Sequence, residues 1–134
     1  MINDCRLQLI DIRLAWGGIN PIVERLKNQH HLDWKPEDIY AQCLMGRAFL
    51  YSCNDGFVIV KPQENQFTLD KELFVWICYS MHHDGLTEYY SDICAIAKSI
   101  HAKAIIFEST REGFKKIAQQ NNWQAMTSYK MPVS

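Results

Sequence analysis

Two spacings of apolar residues divide this chain, one of about two residues and one of about 3.6, and they assign strands and helices in turn. Residues 5–12 (CRLQLIDI) alternate well enough to be a strand, with a helix running on into Trp16 as the competing reading. Gly17-Gly18 breaks that pattern. Asn20-Pro21 then offers an N-cap and a first-turn proline for a short helix whose inner stripe is Ile22 and Leu26. His30 to Trp34 reads as a loop. Pro36, Glu37 and Asp38 open a second helix, with both acids well placed in its first turn. Its apolar face is Ile39, Tyr40, Cys43 and Leu44, and Gly46 stops it.

Two β-rich runs, Arg47 to Cys53 and Gly56 to Pro62, flank Asn54-Asp55-Gly56, which is a hairpin signal. Gln63 to Gln66 supplies the next turn. Leu73 to Tyr79 is apolar on both faces, as suits a central strand covered on both sides. A loop with one glycine, Met81 to Gly85, leads into Leu86, Tyr89, Tyr90, Ile93, Ala97 and Ile100 at helical spacing. Lys103 to Glu108 is a second buried strand. Arg111 to Asn121 reads as a shorter helix with Phe114, Ile117 and Ala118 inward, and Gln124 to Pro132 as a final strand. The order β-α-α-β-β-β-α-β-α-β predicts an α/β (α+β) domain with a mixed central sheet flanked by helices. It spans residues 1–134 as a single domain, without repeat or linker.

Charge narrows the function. Fourteen Lys and Arg against fifteen Asp and Glu leave a net charge of -1, which argues against general nucleic-acid binding and against an anionic membrane surface. Asp4, Arg6, Asp11 and Arg13 interrupt the apolar N-terminal stretch, so it reads as neither a signal peptide nor a membrane span. Five cysteines without a C-x-x-C pair predict reduced thiols and a cytoplasmic location.

The element order, and above all the stretch from Glu72 to Trp123, resembles the GNAT superfamily of N-acetyltransferases. The resemblance implies that Leu73 to Tyr79 and Lys103 to Glu108 splay apart and admit acetyl-CoA between them. It also implies a pyrophosphate loop of pattern Gln/Arg-x-x-Gly-x-Gly/Ala, which here would be His82 to Thr87, with His82, Gly85, Leu86 and Thr87 as cofactor-binding residues. Only Gly85 matches the pattern outright. Asp84 would cap the helix itself and repel a phosphate. The family's proton-donating tyrosine lies four residues before a Gly-Phe pair; Asn122-Trp123 stands in for that pair, and Ala118 occupies the tyrosine position. Tyr79, Tyr89, Tyr90 and Tyr129 are possible substitutes.

Acyl transfer needs a base for the incoming amine. Glu108, beside the expected cleft, and His83, with His82, at the end of the central strand are the candidates, and Glu108 would need burial to serve. Adjacent histidines diverge, so His82, His83 and Asp84 with Cys78 or His101 predict no metal site. The loop with His30, His31 and Trp34 would border the acceptor side, or anchor a protein partner through an exposed tryptophan. Trp16, Trp76 and Trp123 read as core.

Two functions follow. One is an acetyl-CoA-dependent N-acetyltransferase with an altered loop and a replaced general acid. The other is a GNAT-like accessory protein without ordinary catalysis. In style, Glu72 to Tyr79, Phe107 to Gly113 and the entry at Trp123 resemble tailed-phage head-assembly or internal virion proteins. That resemblance implies a phage structural or host protein as partner, and a place in the host cytoplasm or the virion. The departures at Asp84, at the second loop glycine and at Ala118 favour the accessory reading.

Overall fold

The computed structural model describes residues 6–30, 33–82, 85–108, 123–124 and 131–133. Strand β1 (Gln8–Ile10) is short because Asp11 turns the chain into helix α1 (Ile12–His30). Asp11 caps that helix: its Oδ1 accepts the Arg13 backbone N–H at 2.9 Å, and its Oδ2 meets the Arg13 guanidinium at 2.7 Å. The side-chain hydrogen bond from Arg13 holds the Asp11 carboxyl down at about 2.

The expected break at Gly17-Gly18 does not occur, nor does a new helix start at Asn20-Pro21. One helix of 19 residues runs through all four positions, with Pro21 inside it. Ile12, Trp16, Ile19, Val23 and Leu26 form a continuous stripe against the sheet, and Val23 is wholly buried. Interior glycines cost about 1 kcal/mol each and an interior proline about 3. Burying one large apolar side chain returns roughly 1.5–3 kcal/mol, so a stripe this long outweighs the local preferences.

Helix α2 (Pro36–Leu44) forms as expected, with the Lys35 N–H donating to Asp38 at 2.7 Å and Gly46 ending it at φ 75°. Ile39, Tyr40 and Cys43 pack inward, whereas Leu44 is exposed beside Met45.

Strands β2 (Phe49–Cys53), β3 (Gly56–Glu64), β4 (Lys71–Ser80) and β5 (Ala104–Phe107) complete a five-stranded mixed sheet in the order β1-β2-β3-β4-β5. Neighbours are antiparallel except β4 and β5, which are parallel. Cys53 lies opposite Gly56, so Asn54 and Asp55 are the hairpin loop. Gly56 has a steric reason to be glycine: a Cβ there would strike the Tyr79 carbonyl and the Tyr89 hydroxyl. The β3–β4 turn comes later than expected and closes on Asn65, whose side chain accepts the N–H groups of Phe67 and Thr68.

Helices α1 and α2 cover one face of the sheet; α3 (Gly85–Glu88) and α4 (Tyr90–Ser99) cover the other. Pairing between β3 and β4 slips once, since Ile59 faces Ile77 but Val60 faces Val75. Trp76 is therefore an extra residue on β4, a β-bulge that exchanges the faces of the strand. Leu73 and Val75 pack towards α4, while Trp76, Ile77 and Tyr79 pack towards α1 and α2.

Cys43, Cys78 and Cys94 are free thiols, and burial pushes Cys43 up to about 11. Cys53 is disulfide-bonded, which corrects the expectation of reduced thiols throughout. Antiparallel pairing of β1 with β2 sets Gln8 opposite Ser52, next to Cys53, an arrangement that spacing along the chain does not reveal. The helix expected at 111–121 lies outside the described residues, as does most of the strand expected at 124–132; residues 124 and 131–133 carry no regular structure. No described helix is long and apolar enough to cross a membrane.

Candidate functional site

Strand β4 outruns its parallel neighbour. The β4–β5 ladder starts at Glu72 opposite Ala104 and ends at Val75 opposite Phe107. From Trp76 to Ser80 the described part of β4 is paired with β3 alone. The ladder ends where β5 ends, at Phe107, so Trp76 to Ser80 run past the parallel neighbour and have no described strand on that side.

At the end of β4 lies a cavity of about 270 Å³ between α1 and β4, lined by Arg25, Leu26, Gln29, Cys78, Tyr79, Ser80 and Gly85. Arg25 reaches across it: its Nη2 donates to the Tyr79 hydroxyl at 3.2 Å, and its guanidinium carbon lies 5.9 Å from the Tyr79 ring centre. Phe57 braces the same ring from the sheet at 5.6 Å. Among the described residues Arg25 makes no salt bridge with a carboxylate.

Gly85 opens α3 and is buried. A Cβ there would come within 2.5 Å of the Cys78 carbonyl oxygen and 2.9 Å of the Tyr79 nitrogen. The glycine that matches the phosphate-loop pattern is thus already demanded by the contact of α3 with β4. Leu86 and Thr87 follow it in α3, and the Thr87 side chain is exposed. His82 is exposed, with its Nε2 3.5 Å from Asp55 of the β2–β3 turn. His83 and Asp84 lie outside the described residues.

Glu108 directly follows β5 and is exposed, so the burial that its expected role requires is lacking. His30 ends α1, and His31 lies outside the described residues. Trp34 corrects an expectation. It is half-buried and meets Trp76 edge-on, with ring centres 6.2 Å apart, instead of standing free as an interface anchor. The bulge causes this by turning Trp76 onto the α1/α2 face.

The tyrosines separate cleanly. Tyr89 is 1% exposed, and its hydroxyl lies 3.4 Å from the Cys53 sulfur. Burial pushes its phenol upward, partly offset by a hydrogen bond with Ser80. Tyr90 stacks on Trp123 with ring centres 6.0 Å apart. Tyr129 lies outside the described residues. Tyr79 alone of the three described candidates lines the cavity. Its hydroxyl oxygen accepts from Arg25, so its own proton is free to point elsewhere.

Arg25 and Gln29 were missed as site residues. They sit four apart and share a helix face, a signal that becomes readable only when α1 is taken as continuous. No group of three or more metal-ligating side chains occurs among the described residues.

No protein-family model and no curated protein matches the sequence. Solved structures do match the fold. A probable acetyltransferase superposes with a TM-score of 0.70 at 12% identity, covering 96% of this chain and 98% of that one. Ribosomal-protein-alanine N-acetyltransferase from Brucella melitensis biovar Abortus 2308 gives 0.65 at 17% identity, over 95% and 99%. An aminoglycoside acetyltransferase from an uncultured soil metagenomic sample gives 0.64 at 8% identity, over 98% and 100%. Sheet order, the parallel β4–β5 pair and these superpositions agree: the chain has a GNAT-like fold.

Proposed function

We propose that this protein is an acetyl-CoA-dependent N-acyltransferase that uses Tyr79 as its proton donor. The observation that carries the reading is the cavity holding Tyr79 and Arg25 at the end of β4, where that strand outruns its parallel neighbour in a GNAT-like sheet. A strand that outruns its neighbour suits an extended amide-bearing chain laid alongside it, which is the form of the cofactor's pantetheine arm. The residues present therefore fit the group, which when bound would supply an activated thioester.

The chain's own residues supply the rest. Tyr79 holds a proton on its hydroxyl, kept available by the Arg25 hydrogen bond, and can pass it to a departing sulfur. Glu108, just past β5, is exposed and outside the cavity lining, and it stays a candidate base for the acceptor's amine beside His83. Gly85 keeps the start of α3 close to the end of β4 and so sets the depth of the cavity.

Titration calorimetry with acetyl-CoA and with free CoA tests the reading. Micromolar binding supports it, and no binding at millimolar ligand sinks it. Tyr79→Phe should then lower kcat by about 10²-fold or more with little change in cofactor affinity.

A second reading is a non-catalytic accessory protein, including the phage head-assembly or virion type with a phage or host protein as partner. What favours it is the exposure of Leu9, Leu44 and Met45 beside β1 and α2, away from the cavity. Failure of the calorimetric test would make it the leading reading.

A further inference from the structure

We infer that the cavity between α1 and β4 binds a carboxylate, and that the acceptor is a small amine bearing one, of the free amino acid kind. The term acceptor rests on the acyl-transfer reading; the carboxylate site does not.

Arg25 is the reason. A guanidinium offers five donors in a planar fork that matches a carboxylate with two parallel hydrogen bonds. Here one donor, on Nη2, is spent on the Tyr79 hydroxyl at 3.2 Å, and the Tyr79 ring lies 5.9 Å away. Those contacts fix the group's position without neutralising it, and no described acid forms a salt bridge with it. Arg13, by contrast, is held by Asp11 at 2.7 Å. Arg25 instead projects at a cavity whose other polar walls are Gln29 and Ser80. Gln29 adds an amide that can donate to the same anion or accept from an ammonium.

Size selects the class. About 270 Å³ lies at the small end of ligand cavities, which run to roughly 300–1,000 Å³ for drug-sized molecules. A single amino acid fits that space, with its charge held by Arg25 and its amine left towards Tyr79.

The test uses the full chain and titrates L-alanine, L-methionine and L-glutamate, each against its α-carboxamide, followed by amide chemical shifts. Acetyl-CoA, free CoA and inorganic phosphate are titrated separately. At least one amino acid should bind, its carboxamide roughly tenfold to a hundredfold more weakly. Arg25→Gln should remove that discrimination, and Arg25→Lys, which keeps the charge and loses the fork, should restore only part of it. Arg25 is exposed, so both variants should keep the wild-type melting temperature. Equal affinity for acids and carboxamides, or no binding by any of the three, would overturn the proposal. So would Arg25→Gln weakening CoA or phosphate while leaving the amino acids unaffected, because the cation would then serve the cofactor. If amino acids bind through Arg25 and CoA does not bind at all, the carboxylate site stands and the acyl-transfer reading alone falls.

Discussion

The two halves of β4 share a sequence character and differ in what surrounds them. Lys71 to Val75 has β3 on one side and β5 on the other, and Leu73 is wholly buried. Trp76 to Ser80 keeps β3 but has no described strand on its second side, and it ends at a cavity. A run of apolar residues marks both as strand. Only the bulge and the early end of β5 give the two halves different surroundings, the first packed towards α4 and the second, Ile77 included, towards α1 and α2.

The sharpest way to break that comparison is truncation in each half. Leu73→Ala should cost about 2–5 kcal/mol, as for other fully buried leucines, in urea-unfolding experiments. Tyr79→Ala should cost well under half as much, because its ring is only partly buried. Equal losses would mean that the second half is scaffold too. Next in size is Gly85→Ala, whose methyl would press on the Cys78 carbonyl; roughly 1–3 kcal/mol should be lost in the absence of any ligand. A neutral result would release Gly85 from packing and return it to ligand binding alone. Tyr89→Phe, whose hydroxyl meets Ser80 at the far end of the second half, should cost about 0.5–1.5 kcal/mol through its lost contacts with Cys53 and Ser80. Because Ser80 lines the cavity, ligand binding there should weaken slightly, and unchanged binding would show that Ser80 does not depend on Tyr89.

The smallest effect belongs to a group outside both halves. Asp11 has a folded value of about 2 against an ordinary 3.8, depressed by its hydrogen bond from Arg13. A depressed carboxyl contributes stability that is present above the higher value and is lost as pH falls through the lower one. Asp11 should therefore titrate below about 3 by carboxyl chemical shift, with the cap of α1 weakening between about 4 and 2 while the cavity is unaffected. A midpoint near 3.8 would show that the Arg13 contact does not persist in solution.

Much of the scaffold was legible because local signals and burial agreed there. Asn54-Asp55-Gly56 made a hairpin, Pro36 to Asp38 opened a helix, and Leu73 to Tyr79 was a central strand. Where the two disagreed, burial won. Gly17, Gly18 and Pro21 argue for a break, but the stripe from Ile12 to Leu26 holds one helix together. The site was less legible for the same reason, since Arg25 and Gln29 gain meaning only on a continuous α1. Trp34 was misread as free because nothing near Trp76 in sequence announces the bulge that brings the two rings together. Gly85 stands out in the sequence as a loop-motif residue, but the demand the structure shows for it comes from the backbone of β4.

The spatial order of the strands is also their order along the chain. Each antiparallel pairing from β2 to β4 closes a short loop, two residues at Asn54-Asp55 and a tight turn at Asn65, at little entropic cost. Joining β1 to β2 must first span two helices, and the parallel β5 must wait for α3 and α4. Assembly should start in the β2–β3–β4 meander and spread outward in both directions. Pulsed hydrogen exchange during refolding would show it, with Val58 and Ile59 protected before Leu9 or Ile105; simultaneous protection would refute it. On this order the β4–β5 pair is among the last features to form, so the meander can be complete while the parallel edge of the sheet does not yet exist.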